Sequence, residues 1–535
     1  MVNKLYPTKP RKTRQTEPTP GRKDEVKNFA GGYVYSIEDT VEHLRRFIVL
    51  GGKTGALYYA DAEVTMEALR GVVDYVNDQP TVALAILQDF ARKHPPKKEG
   101  MMFVLALLLT HDTLMIRQSA AEFAGDLLKN APLADTMMLA WLIQAGTGHQ
   151  FGRLIKKLFA QFWQNAPINA LVYQSTKYRK RHGWAPADLI QVAHPKTKGR
   201  VDEEARNVLI RYLNNGYVFK EGDLDQADAQ GLIQLIAFDE IQTMPDTADP
   251  EALTGIIEAG RLTWEHIPTY LLNVREVWEA MLPNLPGHAL LRQLPRLDKL
   301  GLFDGKTLDV VLEKLAVKPL HPFRVLLAAL NYPRKVDDPN QRVIDVLDAA
   351  FTSASALDVG NIGNALVALD SSGSMCGGTT AGSTITPVEA GIGISAALCN
   401  ALPNADSIVF TDSLSSVRPF PARGVRYNDL LTMWNSLRTG RSTDLTVPIA
   451  HALKTERDYD LIVIITDLQT WYGQEKVIDT WRRYKRKYPK AKFVAVSLLH
   501  SIHSLFPEGE PDTLNISGFD ATAMDTMLQW ASNAS

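Results

Sequence analysis

At 535 residues, with 45% hydrophobic, 22% charged and 8% aromatic residues, the chain has the composition of a folded protein of roughly two to four domains. Its formal net charge of −2 excludes a wholly basic nucleic-acid binder but not a local basic surface, and its two cysteines exclude a disulfide scaffold and point to a reducing compartment. The most apolar run, Met101 to Leu109, is about half the length needed to cross a bilayer, and no apolar stretch follows the basic N-terminus. The expectation is a cytoplasmic protein without a membrane partner, with that run as a buried helix.

Residues 1–23 carry seven Lys/Arg against the single acid Glu17, interrupted by prolines. Such a segment buries too little apolar surface to order itself and reads as a flexible basic arm, either idle or ordering on RNA. From about residue 37 to 353, within a domain spanning 24–360, the pattern is helix after helix. Glu63–Asn77, Thr81–His94, Met115–Asn130, Leu133–Ala145, Val201–Asn215, Pro250–Arg261 and Lys306–Val317 all repeat apolar residues at spacings of three and four. Short Pro-, Gly- or Asp-containing connections separate them. Some 300 helical residues without a strict sequence repeat predict a HEAT-like stack of helix pairs, with a compact bundle as the alternative.

Within this region two segments concentrate positive charge. Arg153, Lys156 and Lys157 open an amphipathic helix that continues into Phe159, Phe162 and Trp163. Lys177-Tyr-Arg179-Lys-Arg181-His-Gly-Trp184 follows, then a short helix ending at His194-Pro195; from Lys177 to Arg200 there are seven Lys/Arg and one acid, Asp188. Lys and Arg at this density match phosphates, and Tyr178, His182 and Trp184 match unpaired bases; a solvated helix face over a buried Trp184 explains the same residues.

Around residues 354–363 the grammar changes. Asn364–Asp370, Ile408–Phe410, Leu461–Thr466 and Phe493–Val496 are short buried-strand runs, alternating with helices near Val388–Leu402, Asn428–Leu437, Val447–Lys454 and Lys476–Arg486. That alternation predicts a doubly wound parallel sheet over 361–535. The first strand ends in Asp370-Ser371-Ser372-Gly373-Ser374, where such a fold keeps its ligand site. Thr443 precedes a later helix and Asp467 ends the strand LIVIIT. Carboxylates and hydroxyls without Cys or His suit one hard divalent cation, Mg²⁺ first, with Mn²⁺ or Ca²⁺ also accommodated. The same groups could instead satisfy loop amides.

Other signals fail. Gly52-Lys53-Thr54 lacks the glycine a phosphate loop needs, since Phe47 stands there, and no nucleophile–base set or zinc spacing is present, so no enzyme is expected. Gly391 and Gly393 fit close helix–sheet packing.

Asp370, Ser372, Ser374, Thr443 and Asp467 resemble the metal-ion-dependent adhesion site of a von Willebrand A domain. Ala30–Val34, Leu44–Gly51, Tyr58-Tyr59, Gly152–Lys157, Lys177–Trp184, Asp188–His194 and His321–Phe323 resemble a TROVE module. Together the chain resembles the Ro autoantigen family, its bacterial members most. The resemblance implies a ring of HEAT-like helices closed by the A domain. It implies Ser372, Ser374 and Thr443 as direct metal ligands, with Asp370 and Asp467 acting largely through water. It implies RNA contacts at Lys177, Arg181 and His194, then Arg153, Lys156, Lys157 and Arg179. Its implied partners are small non-coding Y RNA on the outer surface, misfolded or structured RNA (ribosomal precursors included) with ends in the ring, and, through RNA, the exoribonuclease polynucleotide phosphorylase. The rival reading is an adhesion or assembly scaffold gripping a partner's carboxylate through the metal.

Overall fold

The computed structural model describes residues 13–28, 31–36, Val41, Leu44, Phe47, Ile48, 62–92, 98–216, 219, 231–317, 320, 322–352, 359–377, 385–437, 442–468, 472–498, 503–507, 510–517 and 521–532. Two short strands come first, β1 (Glu25–Lys27) and β2 (Tyr33–Ser36). The helical array then runs α1 (Ala62–Asp78), α2 (Pro80–Arg92), α3 (Glu99–Thr110), α4 (Leu114–Leu128), α5 (Leu133–Trp141), α6 (Arg153–Asn165), α7 (Ile168–Lys177), α8 (Pro186–Ala193) and α9 (Glu203–Asn215). It continues with α10 (Ile233–Thr243), α11 (Pro250–Gly260), α12 (Arg275–Met281), α13 (Gly287–Lys299), α14 (Gly305–Val317), α15 (Pro322–Lys335) and α16 (Gln341–Thr352). The expected helices are all present, within a few residues at their ends. The run Met101–Leu109 is the buried α3, and no described helix is long and apolar enough to cross a membrane.

The second half alternates β3 (Asn364–Asp370), α17 (Pro387–Ala401), β4 (Asn404–Phe410), β5 (Arg418–Pro419), α18 (Tyr427–Leu437), α19 (Val447–Lys454), β6 (Leu461–Thr466), α20 (Val477–Lys487), β7 (Lys492–Ser497), β8 (His503–Ser504), β9 (Thr513–Ser517) and α21 (Ala521–Ser532). The main sheet has the order β5-β4-β3-β6-β7-β9, parallel except for the edge strand β5. The edges β5 and β9 are too short or too polar to stand out in the sequence.

Strand alternation divides this sheet between two cores. Ala365, Val367, Leu369, Val463 and Ile465 face α17 and share one continuous core with helices α10 to α16. Leu366, Ala368, Ile462 and Ile464 face the other way, onto α19 and α20, together with Val34 and Tyr35 of β2. A third core holds the helices from Leu44 to Leu235. Helices α10 to α16 therefore pack on one face of the sheet and β2, which precedes the array in the chain, packs on the opposite face, so the chain makes a circuit from one face of the α/β domain to the other.

The described part of the expected flexible arm, residues 13–23, is not free. Gln15 is buried, its amide bonds the Gly473 carbonyl, and the Tyr33 amide bonds the Gln15 carbonyl. Charge composition misled here because Arg22 pairs with its neighbour Asp24 and lies over the Tyr35 ring, while Glu25 and Lys476 form a buried ion pair at 2.7 Å. Residues 1–12 lie outside the described residues, as do Gly52-Lys53-Thr54, Tyr58-Tyr59 and His321.

Gly391 and Gly393 serve two contacts. A Cβ on Gly391 would sit 2.6 Å from Leu369 of the sheet, and one on Gly393 would overlap Leu326 of α15, so the second glycine joins the array and not the sheet. Arg334 bonds Glu389, and Asp348 accepts the Tyr427 amide, across the same junction. Gly393→Ala should cost about 1–3 kcal/mol in urea unfolding, since α15 must shift to admit a methyl; an unchanged midpoint would show that this junction is loose.

Candidate metal centre and basic surface

The main sheet reverses its winding between β3 and β6, because β3 connects onward to one side and β6 to the other. Loops at the carboxyl ends of these two strands form the crevice in which such sheets hold ligands. Asp370 ends β3 and Asp467 follows β6. Both are buried, as are Ser372 and Thr443, while Ser374 is exposed at the rim. The Ser372 amide donates to Asp370 Oδ1 at 2.8 Å; Thr443 Oγ1 and Thr466 Oγ1 donate to Oδ2 at 3.3 and 2.8 Å. Ser372 Oγ and Ser374 Oγ are 3.1 Å apart. All five expected residues thus fall at one strand-end crevice, and Thr466, which the motif did not single out, joins them.

Burial, and then the charge of Asp467, push the Asp370 carboxyl up to about 7. Its hydrogen-bond donors are an amide and hydroxyls, none of them cationic. Two buried carboxylates ringed by hydroxyl oxygens fit a divalent cation, whose charge would offset their repulsion. Among the described residues no group of three or more His, Cys, Asp or Glu is placed to hold a metal ion. The donor set is therefore hydroxyl-rich, with Ser374 leaving an edge open to an external oxygen.

The two basic segments of the array meet. Helix α6 packs on α8, and Phe151 stands edge-on to Trp184 with ring centroids 5.4 Å apart. Arg181 and Trp184 pair backbone to backbone around His182 and Gly183, both at positive φ. The His182 ring stacks on Trp141, 4.9 Å away, where α5 loosens into a π turn over Leu142–Gly146. Trp184 and His182 thus fix a tight hairpin on the array surface, and Trp184 is half-buried.

The hairpin sorts its cations. Lys177 is mostly buried, 3.3 Å from both Glu265 and the Tyr173 hydroxyl. The Arg179 guanidinium lies over Phe238 and donates to Gln242. Arg181 is exposed over Tyr178. Arg153, Lys156 and Lys157 are exposed on α6, and Lys180 on the hairpin, with no ion pair among the described residues. His194 caps α8 in the left-handed conformation, its amide bonded to the Ile190 carbonyl and its side chain exposed.

Behind Lys177 lies His266, fully buried between Tyr173 and Phe238. Nδ1 accepts from the Thr263 amide at 2.9 Å. Burial is the main cause that drives its pKa down to about 4. Its folded value lies below the unfolded one, so this histidine supports the fold above pH 6.5 and withdraws support as pH falls toward 4. Unfolding free energy should drop by roughly 2–3 kcal/mol across that window. His266→Asn should flatten the drop, and an equally steep acid limb in that variant would refute the assignment.

A model of the Ro60 vWA domain matches residues 364–531, and one of the TROVE domain matches residues 259–341. The RNA-binding protein RO60 of Deinococcus radiodurans is 30% identical over 559 residues, covering 99% of each chain. This chain belongs to the Ro60 family. The RNA-binding protein RO60 of Caenorhabditis elegans is 23% identical over 577 residues, covering 93% of this chain and 88% of its own. The crystal structure of the Deinococcus radiodurans Ro (RSR) protein matches with a TM-score of 0.74 at 26% identity, covering 92% of this chain and 99% of that one. In this Ro60-family chain further cations join Lys177 that no sequence run announced. His288 has its pKa lowered by partial burial and then by the neighbouring Arg324, Lys177 and Arg292. His288 and Arg292 stand on α13 and Arg324 on α15, so only folding brings Arg324 and Lys177 to act on His288.

Proposed function

We propose that this chain is a non-catalytic RNA-binding protein of RNA quality control in the cytoplasm. Its ligands are a small structured RNA of the Y type on the surface built by α6, the hairpin and His194, and misfolded or structured RNAs whose ends enter the closed circuit. Through RNA it works with an exoribonuclease of the polynucleotide phosphorylase kind. The carrying observation is the group of exposed cations Arg153, Lys156, Lys157, Lys180 and Arg181, brought together by the Phe151–Trp184 contact without acidic partners among the described residues. The names of the Deinococcus and Caenorhabditis relatives point the same way.

In this reading Asp370, Ser372, Ser374, Thr443 and Asp467 hold one Mg²⁺, with Mn²⁺ or Ca²⁺ as substitutes. The bound cation would supply a Lewis-acidic position for an outside oxygen. Two carboxylates set among hydroxyls steady a cation without offering the paired-metal arrangement of a nuclease. The exposed edge at Ser374 favours a second reading, an assembly scaffold that grips a partner's carboxylate. A chelator separates them, because it would abolish the scaffold contact while leaving salt-sensitive RNA binding intact.

His194 provides the direct test. Its imidazole bonds no helix carbonyl among the described residues, which weakens the alternative role as a helix cap. His194→Ser should lower affinity for a Y-type RNA about tenfold, the equivalent of one or two hydrogen bonds, with little change in melting temperature. A loss of stability at unchanged affinity would remove His194 from the interface.

A further inference from the structure

The N-terminal segment is bonded at three places to residues between β6 and α20: Leu468, Gly473 and Lys476. Residues 13–28 and 31–36 lie against the α/β domain before the chain enters the helical array, with β2 paired to β8. The Gln15 amide bonds the Gly473 carbonyl, and a Cβ on Gly473 would stand 3.1 Å from Asp444 Oδ1, the residue after Thr443. Glu25 reaches Lys476, the residue preceding α20, in a buried ion pair.

The most direct link runs through Asn28. Its Oδ1 accepts from the Gly32 amide at 2.8 Å, and its backbone amide bonds the Gly32 carbonyl, so the residue is a fixed post of the β1–β2 turn. Its Nδ2 donates to the Leu468 carbonyl at 3.4 Å. Leu468 follows Asp467 directly and has φ of 59°, a left-handed conformation that a side chain with a Cβ adopts only where neighbours hold it. On its other side the Leu468 amide donates to Thr466 Oγ1 at 3.2 Å, and that hydroxyl donates to Asp370 Oδ2 at 2.8 Å. A chain of three hydrogen bonds therefore joins Asn28 to the central carboxylate of the crevice, through the backbone that carries Asp467.

We propose that residues 13–28 and 31–36 form a clasp whose attachment and cation binding reinforce each other, with Asn28 as a positioning residue for the metal centre. The inference rests on the cation reading of Asp370 and its partners. The strained Leu468 sets where Asp467 is presented, and Asn28 holds Leu468. A site with its carboxylates already placed binds a cation more tightly, because less ordering remains to be done on binding. Linkage makes the effect mutual: whatever factor the clasp adds to cation affinity, the cation adds to clasp attachment. The clasp also precedes the helical array in the chain and packs on the face of the sheet opposite to helices α10 to α16, so the cation would help hold the circuit together.

The test uses the full chain and Mg²⁺ alone. Asn28→Asp keeps the oxygen that accepts from Gly32 but replaces the donor facing the Leu468 carbonyl with an acceptor. Its Mg²⁺ affinity by calorimetry should fall about tenfold, while Asp370→Ala abolishes binding. In the unaltered protein, saturating Mg²⁺ should slow amide exchange in residues 13–28 and 33–36, and Asp370→Ala should erase that protection. This second measurement stands even where Asn28→Asp folds poorly. Mg²⁺ that binds through Asp370 yet leaves exchange in the clasp unchanged would overturn the coupling alone. No Mg²⁺ binding to the unaltered protein would overturn the cation reading and the clasp with it.

Discussion

Asp370→Ala should eliminate the rise in melting temperature that Mg²⁺ gives the unaltered protein. A ligand bound only by the native state stabilises it by mass action, about 2.7 kcal/mol at a hundred times its dissociation constant. Asp370 is the hub of the crevice: fully buried, it accepts from the Ser372 amide, Thr443 and Thr466. Removing it withdraws one of two carboxylates and leaves those three donors without their acceptor. Without metal the variant should be no more than modestly weaker than the parent, because a buried carboxylate held up at about 7 is itself a strained group. RNA affinity should hold within about twofold, a change below 0.5 kcal/mol, since the basic surface belongs to the other part of the chain. A thermal shift with Mg²⁺ that persists in Asp370→Ala would remove the cation from this crevice.

Replacing Arg153, Lys156 and Lys157 together with alanine should produce the largest loss of RNA affinity. All three are exposed on one helix, while Ile155, Leu158 and Phe159 of the same helix are buried, so the changes leave the core intact. Stability should move by less than about 0.5 kcal/mol per site, as for other exposed helix positions. Each phosphate contact contributes close to one unit to the slope of log affinity against log salt. The triple variant should therefore show a slope shallower by about two to three units, with affinity in moderate salt down roughly a hundredfold. Binding curves at four salt concentrations decide it. An unchanged slope would mean that this face of α6 is merely solvated and that RNA, if bound, lies elsewhere.

The sequence by itself determined much of this protein because its strongest signals are local. Periodicity located the helices of the array, since burial on one face of a helix repeats every three to four residues. The four buried strands carried their own apolar runs, and D-x-S-x-S followed the first of them directly, so the fold rule for strand-end loops pointed to Asp370, Ser372, Ser374 and Asp467, while Thr443, which follows no strand, joined them through the resemblance to an adhesion-type metal site. The joining of α6 to the hairpin was half visible, because the aromatics Phe151 and Trp184 that make it sit beside the charges.

Only the tertiary structure decided the rest, and in each case the deciding partner is far away in the chain. Charge counting made residues 1–23 a flexible arm; within its described part Gln15 is held by Gly473, and Glu25 just beyond it by Lys476, partners that no local window contains. Gly393 spares room for Leu326 of another helix, not for the sheet its own helix covers. Lys177 was one cation among several until Glu265 and Tyr173 closed over it, while only folding brought it, with Arg292 and Arg324, to act on His288. A carboxylate, a ring or an amide changes what a cation can do only within a few ångströms. The sequence names the charges, and the packing of distant helices chooses which of them stay open to a ligand.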